Sequence, residues 1–192
     1  MPKVVRGRAG RMNKRNEILE EYSATLAQMM QAQVRPDPAA RMLHLGSPGA
    51  AQVAEYFAPR LASGEIVVCV YTFDELEDTR AALAGLGNVH SINDLDDLDE
   101  DEPPFDIVTC IAPYHLGRDI VIGLIEQGIA RLTDTGTFYL GGDKQREFDR
   151  YSEALGSLVR GTQQIAAKGQ YRIVSAQGRN IRKAGRLTER RG

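Results

Sequence analysis

Two short segments hold the residue types from which a binding or reactive site could be built. The first is Leu43-His44-Leu45-Gly46-Ser47-Pro48-Gly49-Ala50. Gly46 and Gly49 allow a tight turn and close approach of the backbone to a ligand. Ser47 followed by Pro48 also suits the N-cap and first position of a helix, so the same spacing is satisfied by an economical helix start. The second segment is Ile111-Ala112-Pro113-Tyr114-His115, with Arg118 one turn further on. There Tyr114 could stack on a flat substrate and His115 could exchange protons near neutral pH. The plainer reading is a strand-to-helix turn that ends in a surface histidine. Cys69 and Cys110 lie in apolar runs with no Cys or His at metal-ligand spacing, so buried structural thiols and no metal are expected.

The elements that must position these segments follow from hydrophobic period. Ile18, Tyr22, Leu26, Met29 and Met30 recur at helical spacing between about Asn13 and Val34, and Arg35-Pro36-Asp37-Pro38 stops the helix. Beyond it, short apolar runs alternate with amphipathic stretches. Strands are expected at 41–45, 66–71, 89–92, 107–111 and 136–140, with helices from Ala50 to Leu61, from Glu75 to Leu86, around Ile120 to Ile129, and over Gln145 to Leu158. Segments 163–166 and 171–176 flank Ala167-Lys168-Gly169-Gln170 and read as a closing hairpin. Alternation of this kind gives βαβ units and a parallel sheet covered on both faces, with an antiparallel edge from the hairpin. In such a sheet, ligands bind at the carboxyl ends of the strands near the topological switch point. Both segments fall at such ends.

Net charge is −2, which taken whole would exclude a polyanionic partner. Its distribution does not. Residues 1–15 carry +6, residues 179–192 carry +5, and the body between them carries −13, with seven acids in the run Asp94 to Glu102. Each cation that neutralises a phosphate releases a counterion, so Lys3, Arg6, Arg8 and Arg11 at one end and Arg182, Lys183 and Arg186 at the other are candidate RNA contacts. Solvated tails, or tails bound to the chain's own acidic run, are the alternative. The Met29-Met30 pair could offer a protein-binding face on the first helix, although a stripe at this spacing also serves simply to pack on a core. No stretch of about 18 apolar residues occurs and the amino terminus lacks the apolar core of a signal peptide. No membrane association and a cytoplasmic location are therefore expected.

Four segments together resemble the small-domain class I methyltransferases, the group that includes ribosomal-RNA guanine-N2 methyltransferases. They are residues 43–49; Phe105-Asp106-Ile107-Val108-Thr109-Cys110-Ile111-Ala112-Pro113-Tyr114-His115; Gly141-Gly142-Asp143-Lys144 before Phe148-Asp149-Arg150-Tyr151; and residues 167–174. The resemblance covers roughly 38–177, leaving a basic arm at 1–15, a helix and linker at 16–37 and a basic tail at 178–192. It implies a Rossmann-like α/β fold with a mostly parallel seven-stranded sheet and an antiparallel C-terminal hairpin. It also implies S-adenosylmethionine held around His44, Gly46, Ser47, Gly49 and Tyr71, with Pro113, Tyr114 and His115 around an exocyclic base amine.

Three contacts depart from the family's pattern. His44 stands where the family has an acid, and Pro48 where it has a glycine, removing one N–H. Tyr71 occupies the place of an acid that would accept both ribose hydroxyls, and Asp74 is three residues too far along. Ile111-Ala112 replaces the Asn-Pro of an Asn-Pro-Pro-Tyr turn, whose Asn side chain and following backbone carbonyl orient the target amine. Isoleucine accepts nothing, which leaves the carbonyl as an acceptor and Tyr114 as a stacking surface. Two functions remain open on these residues: an RNA methyltransferase, or a noncatalytic scaffold that docks on RNA or a ribonucleoprotein.

Overall fold

The computed structural model describes residues 9–46 and 48–179. The chain runs α1 (Ala9–Gln33), β1 (Arg41–Leu45), α2 (Ala50–Phe57), β2 (Glu65–Cys69), α3 (Phe73–Leu83), β3 (Val89–Ile92), β4 (Phe105–Ile111), α4 (Arg118–Ala130), β5 (Leu132–Asp143), α5 (Phe148–Gly156), β6 (Val159–Lys168) and β7 (Tyr171–Arg179). There is one seven-stranded sheet, as the alternation of runs and the resemblance imply, and its strand order is β3-β2-β1-β4-β5-β7-β6. Strands β1 to β5 are parallel, and β7 pairs antiparallel with both β5 and β6. The order reverses between β1 and β4, so the switch point lies between the turns that follow Leu45 and Ile111.

Side-chain alternation divides the core. Leu43, Leu45, Val108, Cys110, Phe138 and Leu140 face α4 and α5, where Ile125, Ile129, Tyr151 and Leu155 meet them. Met42, Val68, Ile107 and Ile111 face the other way, onto Leu26, Met30, Val53, Phe57 and Leu76 of α1 to α3. Met29 and Met30 are 8% and 0% exposed, so this pair is core and not surface. Gly141 allows the close approach of Met30, because a Cβ there would lie 3.0 Å from Met30 Cε. Each fully buried side chain of this size contributes roughly 1.5–3 kcal/mol.

Several boundaries differ from the sequence expectation, among them the ends of β2, α2, α3, β5 and β7, and three have a local cause. Helix α1 begins at Ala9, four residues before Asn13, and side chains 13–18 are exposed, so no apolar stripe marks that part. Strand β6 spans Val159–Lys168 because its ladder to β7 carries polar residues such as Arg160, Thr162 and Gln164, which give no hydrophobic signal. Helix α5 starts at Phe148, because residues 143–147 form a turn in which Asp143 Oδ1 accepts from Gln145 N at 2.7 Å.

At 25 residues α1 is about 37 Å long. It runs antiparallel to β1, so its first half overhangs the pole where the parallel strands end. Strand β7 returns to the opposite pole, where Gln177 pairs with Thr137. The acidic run is anchored to the body: Leu95 is buried, Asp94 caps its own turn, and Glu102 pairs with Arg41.

Candidate functional site

On β1, Met42 and His44 point toward α1 and α2. His44 is 0% exposed, and its Nδ1 shares a hydrogen bond of 2.8 Å with Thr109 Oγ1 on β4. Its Nε2 has no partner, and burial pushes its pKa down to about 3. The imidazole is therefore neutral and sealed under the first turn. A Cβ on Gly46 would lie 3.0 Å from His44 Nε2, and one on Gly49 would lie 3.1 Å from Ser23 Cβ of α1. Gly49 also has φ 93°, which disfavours any side chain. Both glycines thus accommodate the chain's own groups. Ser47 lies outside the described residues.

At the end of β2 the alternation continues. Val70 joins the cluster under α1 to α3, whereas Tyr71 packs on the opposite one. The Tyr71 hydroxyl is buried without a partner, and burial raises its pKa. A groove of about 320 Å³ opens beside the first turn, lined by Pro48, Gly49, Ala51, Val70, Glu75 and Asp78 among others. Asp74 is exposed. Glu75 is the acid that turns inward, and its Oε2 is buried and unpartnered. Its charge reaches both Tyr71 and His115.

The turn after β4 is fixed more tightly. Ala112 donates its N–H to Gly141 O at 2.9 Å, and Pro113 adopts φ −78° and ψ 66°, an inverse γ-turn. That turn brings Tyr114 N to Ala112 O at 2.8 Å. Tyr22 Oη of α1 donates to the same oxygen at 2.6 Å. A carbonyl has two lone pairs, and both are taken. This corrects the expectation that the carbonyl is left as a free acceptor. Tyr22 is 2% exposed, meets Tyr114 edge-on at 5.0 Å, and has a pKa raised by burial.

Tyr114 and His115 line a second opening of about 420 Å³ with Lys14, Arg15 and Ile18 of α1 and with Arg146. The Arg146 guanidinium lies 5.1 Å from the Tyr114 ring centroid, so one face of that ring is covered. His115 Nδ1 has no partner; burial lowers its pKa, the Glu75 charge opposes this, and the Arg15 charge adds to it. Arg118 is turned away and paired with Glu147.

The structure thus brings Gly49 to the groove and Tyr114 and His115 to the mouth, buries His44, Gly46 and Pro113, and turns Tyr71 toward the other layer. Lys3, Arg6, Arg8, Arg182, Lys183 and Arg186 lie outside the described residues; Arg11 is on α1. Sequence reasoning missed Tyr22, Glu75 and Arg146. The signal for Tyr22 was its place in the α1 stripe, where it read only as packing.

Set against S-adenosylmethionine, the donor set is incomplete. Neither Val70 nor Tyr71 is an acid, His44 is shut away from the turn, and the two glycines abut Ser23 and His44 rather than a cradle. Glu75 Oε2 is the one buried carboxylate oxygen without a partner among the described residues.

The fold is that of class I methyltransferases. Over 81% of its length the chain is similar to the Thermus thermophilus 16S rRNA N2 G1207 methyltransferase solved with AdoMet and guanosine, with TM-score 0.65 and 20% identity. It spans 39% of that protein's length. It is also similar to a predicted O-methyltransferase from Agrobacterium tumefaciens, with TM-score 0.60, 20% identity, and 79% and 80% of the two chains covered. A third likeness is to the Methanococcus jannaschii fibrillarin pre-rRNA processing protein, with TM-score 0.61, 13% identity, and 77% and 70% covered. No family model matches the sequence, and no curated protein matches it.

Proposed function

We propose that this chain is an RNA-associated protein of methyltransferase fold that does not methylate an exocyclic base amine. The observation that carries the reading is the saturated Ala112 carbonyl, which accepts from Tyr22 Oη and Tyr114 N at once. Orienting an amine lone pair toward a methyl donor takes acceptors for its hydrogens. Ile111 offers none, and helix α1 occupies the other. RNA association is supported by the charge of the two ends and by the rRNA-directed proteins among the structural neighbours. The decisive experiment incubates the full chain with total RNA and methyl-labelled S-adenosylmethionine, alongside filter binding of the same RNA across a salt series. No label enters the RNA, and retention falls steeply with salt. Labelled RNA would sink the noncatalytic half of this reading, and absence of retention the RNA half.

A second reading is favoured by Glu75. When bound, S-adenosylmethionine supplies an activated methyl group, and a carboxylate with an unpartnered buried oxygen suits the hydroxyls of its ribose. On this reading the groove holds the nucleoside and α1 yields to the substrate. A thermal shift with S-adenosylhomocysteine that disappears in Glu75→Gln would support it, and no shift in the parent chain would exclude it.

A further inference from the structure

We propose that the mouth between α1 and the turn after β4 is a phosphate-binding site, which takes the backbone of a single-stranded nucleic acid without reading its bases. The proposal extends the RNA reading above by moving part of the contact from the chain's ends into the fold. Lys14 and Arg15 reach the opening from α1, and Arg146 reaches it from the turn between β5 and α5. None of the three has an ion pair among the described residues, whereas Arg41 and Arg118 are both paired. Among the described residues, no carboxylate lines the opening. Three convergent cations without counter-charge repel one another, and a phosphate relieves that repulsion while filling the guanidinium's planar fork.

Arg146 is held in place for this role. Its N–H donates to Asp143 O at 2.8 Å, and its guanidinium rests on the Tyr114 ring, which Tyr22 in turn wedges edge-on. The next residue, Glu147, has φ 63°, the one positive value at a non-glycine among the described residues. Such a conformation persists where the surroundings over-determine it, and it concentrates at functional sites. Here it turns the chain so that Arg146 faces the opening while Glu147 goes to Arg118. His115 lines the same wall. With one face of Tyr114 covered by Arg146, the ring is no open stacking platform, so the chemistry favours phosphate over base. A cavity of about 420 Å³ exceeds what one phosphate group fills and leaves room for the adjoining sugar.

The test uses the full chain and two probes: a fluorescein-labelled single-stranded RNA of mixed sequence, followed by anisotropy, and inorganic phosphate, followed by calorimetry. Arg146→Gln weakens RNA binding about tenfold and lowers the salt slope by about 0.7 for each phosphate that is no longer neutralised. Lys14→Gln combined with Arg15→Gln does the same, and Arg60→Gln, a charge-matched change beyond α2, does neither. All four side chains are exposed, and circular dichroism checks that each variant folds. If phosphate binds and depends on Arg146 while RNA does not bind, the site stands as a free-phosphate or nucleotide site and the RNA reading fails. If RNA binding is unchanged in the mouth variants and disappears when Arg182, Lys183 and Arg186 become Gln, the mouth proposal is overturned and the RNA reading survives. Unchanged binding of both probes in every mouth variant also overturns it.

Discussion

The two openings at the pole where the parallel strands end are opposites. Among the described residues, the mouth gathers Lys14, Arg15 and Arg146 around an aromatic ring and contains no acid; the groove beside the first turn gathers Glu75 and Asp78 among Ala, Val and Pro and contains no cation. Helix α1 separates them. Tyr22 closes the turn after β4 on one side, and Ser23 covers Gly49 on the other. The contrast teaches that a single helix stands between two openings of opposite charge at one pole of the sheet. A net charge of −2 averages over surfaces suited to different ligands.

The largest break in this arrangement comes from its wall. Tyr22→Ala removes a buried aromatic ring and costs roughly 3–5 kcal/mol in urea unfolding, whereas Tyr22→Phe costs about 1 kcal/mol by removing one of the two hydrogen bonds to the Ala112 oxygen. If both variants unfolded like the parent, Tyr22 would not be the partition.

Next is the floor beneath the wall. The folded-state pKa of His44 lies near 3, well below the ordinary value of 6.5. Above pH 6.5 neither state binds the proton, so stability is unaffected there. As pH falls from 6.5 toward 3 the unfolded chain is protonated first, and stability drops by about 1.4 kcal/mol per pH unit from this group. His44→Gln should therefore flatten the acid limb of the stability curve by one proton. An unchanged limb would mean that the imidazole is not sealed.

The groove gives a smaller effect of opposite sign. Glu75→Met keeps the length of the side chain but removes the buried unpartnered oxygen, and should raise the stability of the ligand-free chain by about 1 kcal/mol. A decrease would show that Glu75 already has a partner. Smallest is Phe73→Ser, at the start of α3 and 74% exposed, which should leave stability within about 0.5 kcal/mol.

Strand positions were legible because buried parallel strands such as Ile66 to Cys69 are continuous apolar runs, and Ile107 to Ile111 is one broken only by Thr109. The switch point followed from them, and so did the two turns that flank it. What the pattern did not carry is who fills a backbone acceptor. Tyr22 and Ala112 are 90 positions apart, and their hydrogen bond leaves no periodic trace. Glu75 was hidden for a different reason: an acid in the first turn of a helix is already accounted for by the helix dipole. Arg146 sits in a turn whose course depends on a left-handed Glu147, which propensity would place elsewhere.

The long reach from α1 to the middle of the sheet also bears on how the protein is made. Helix α1 leaves the ribosome before the sheet does, with the stripe of Tyr22, Leu26 and Met30 uncovered. Two of its partners, Ala112 and Gly141, follow about 90–115 residues later. At translation rates of about 5–20 residues per second, that stripe waits roughly 5–20 seconds for its cover. Nascent chains of this protein are therefore expected to recruit holding chaperones until β5 has emerged.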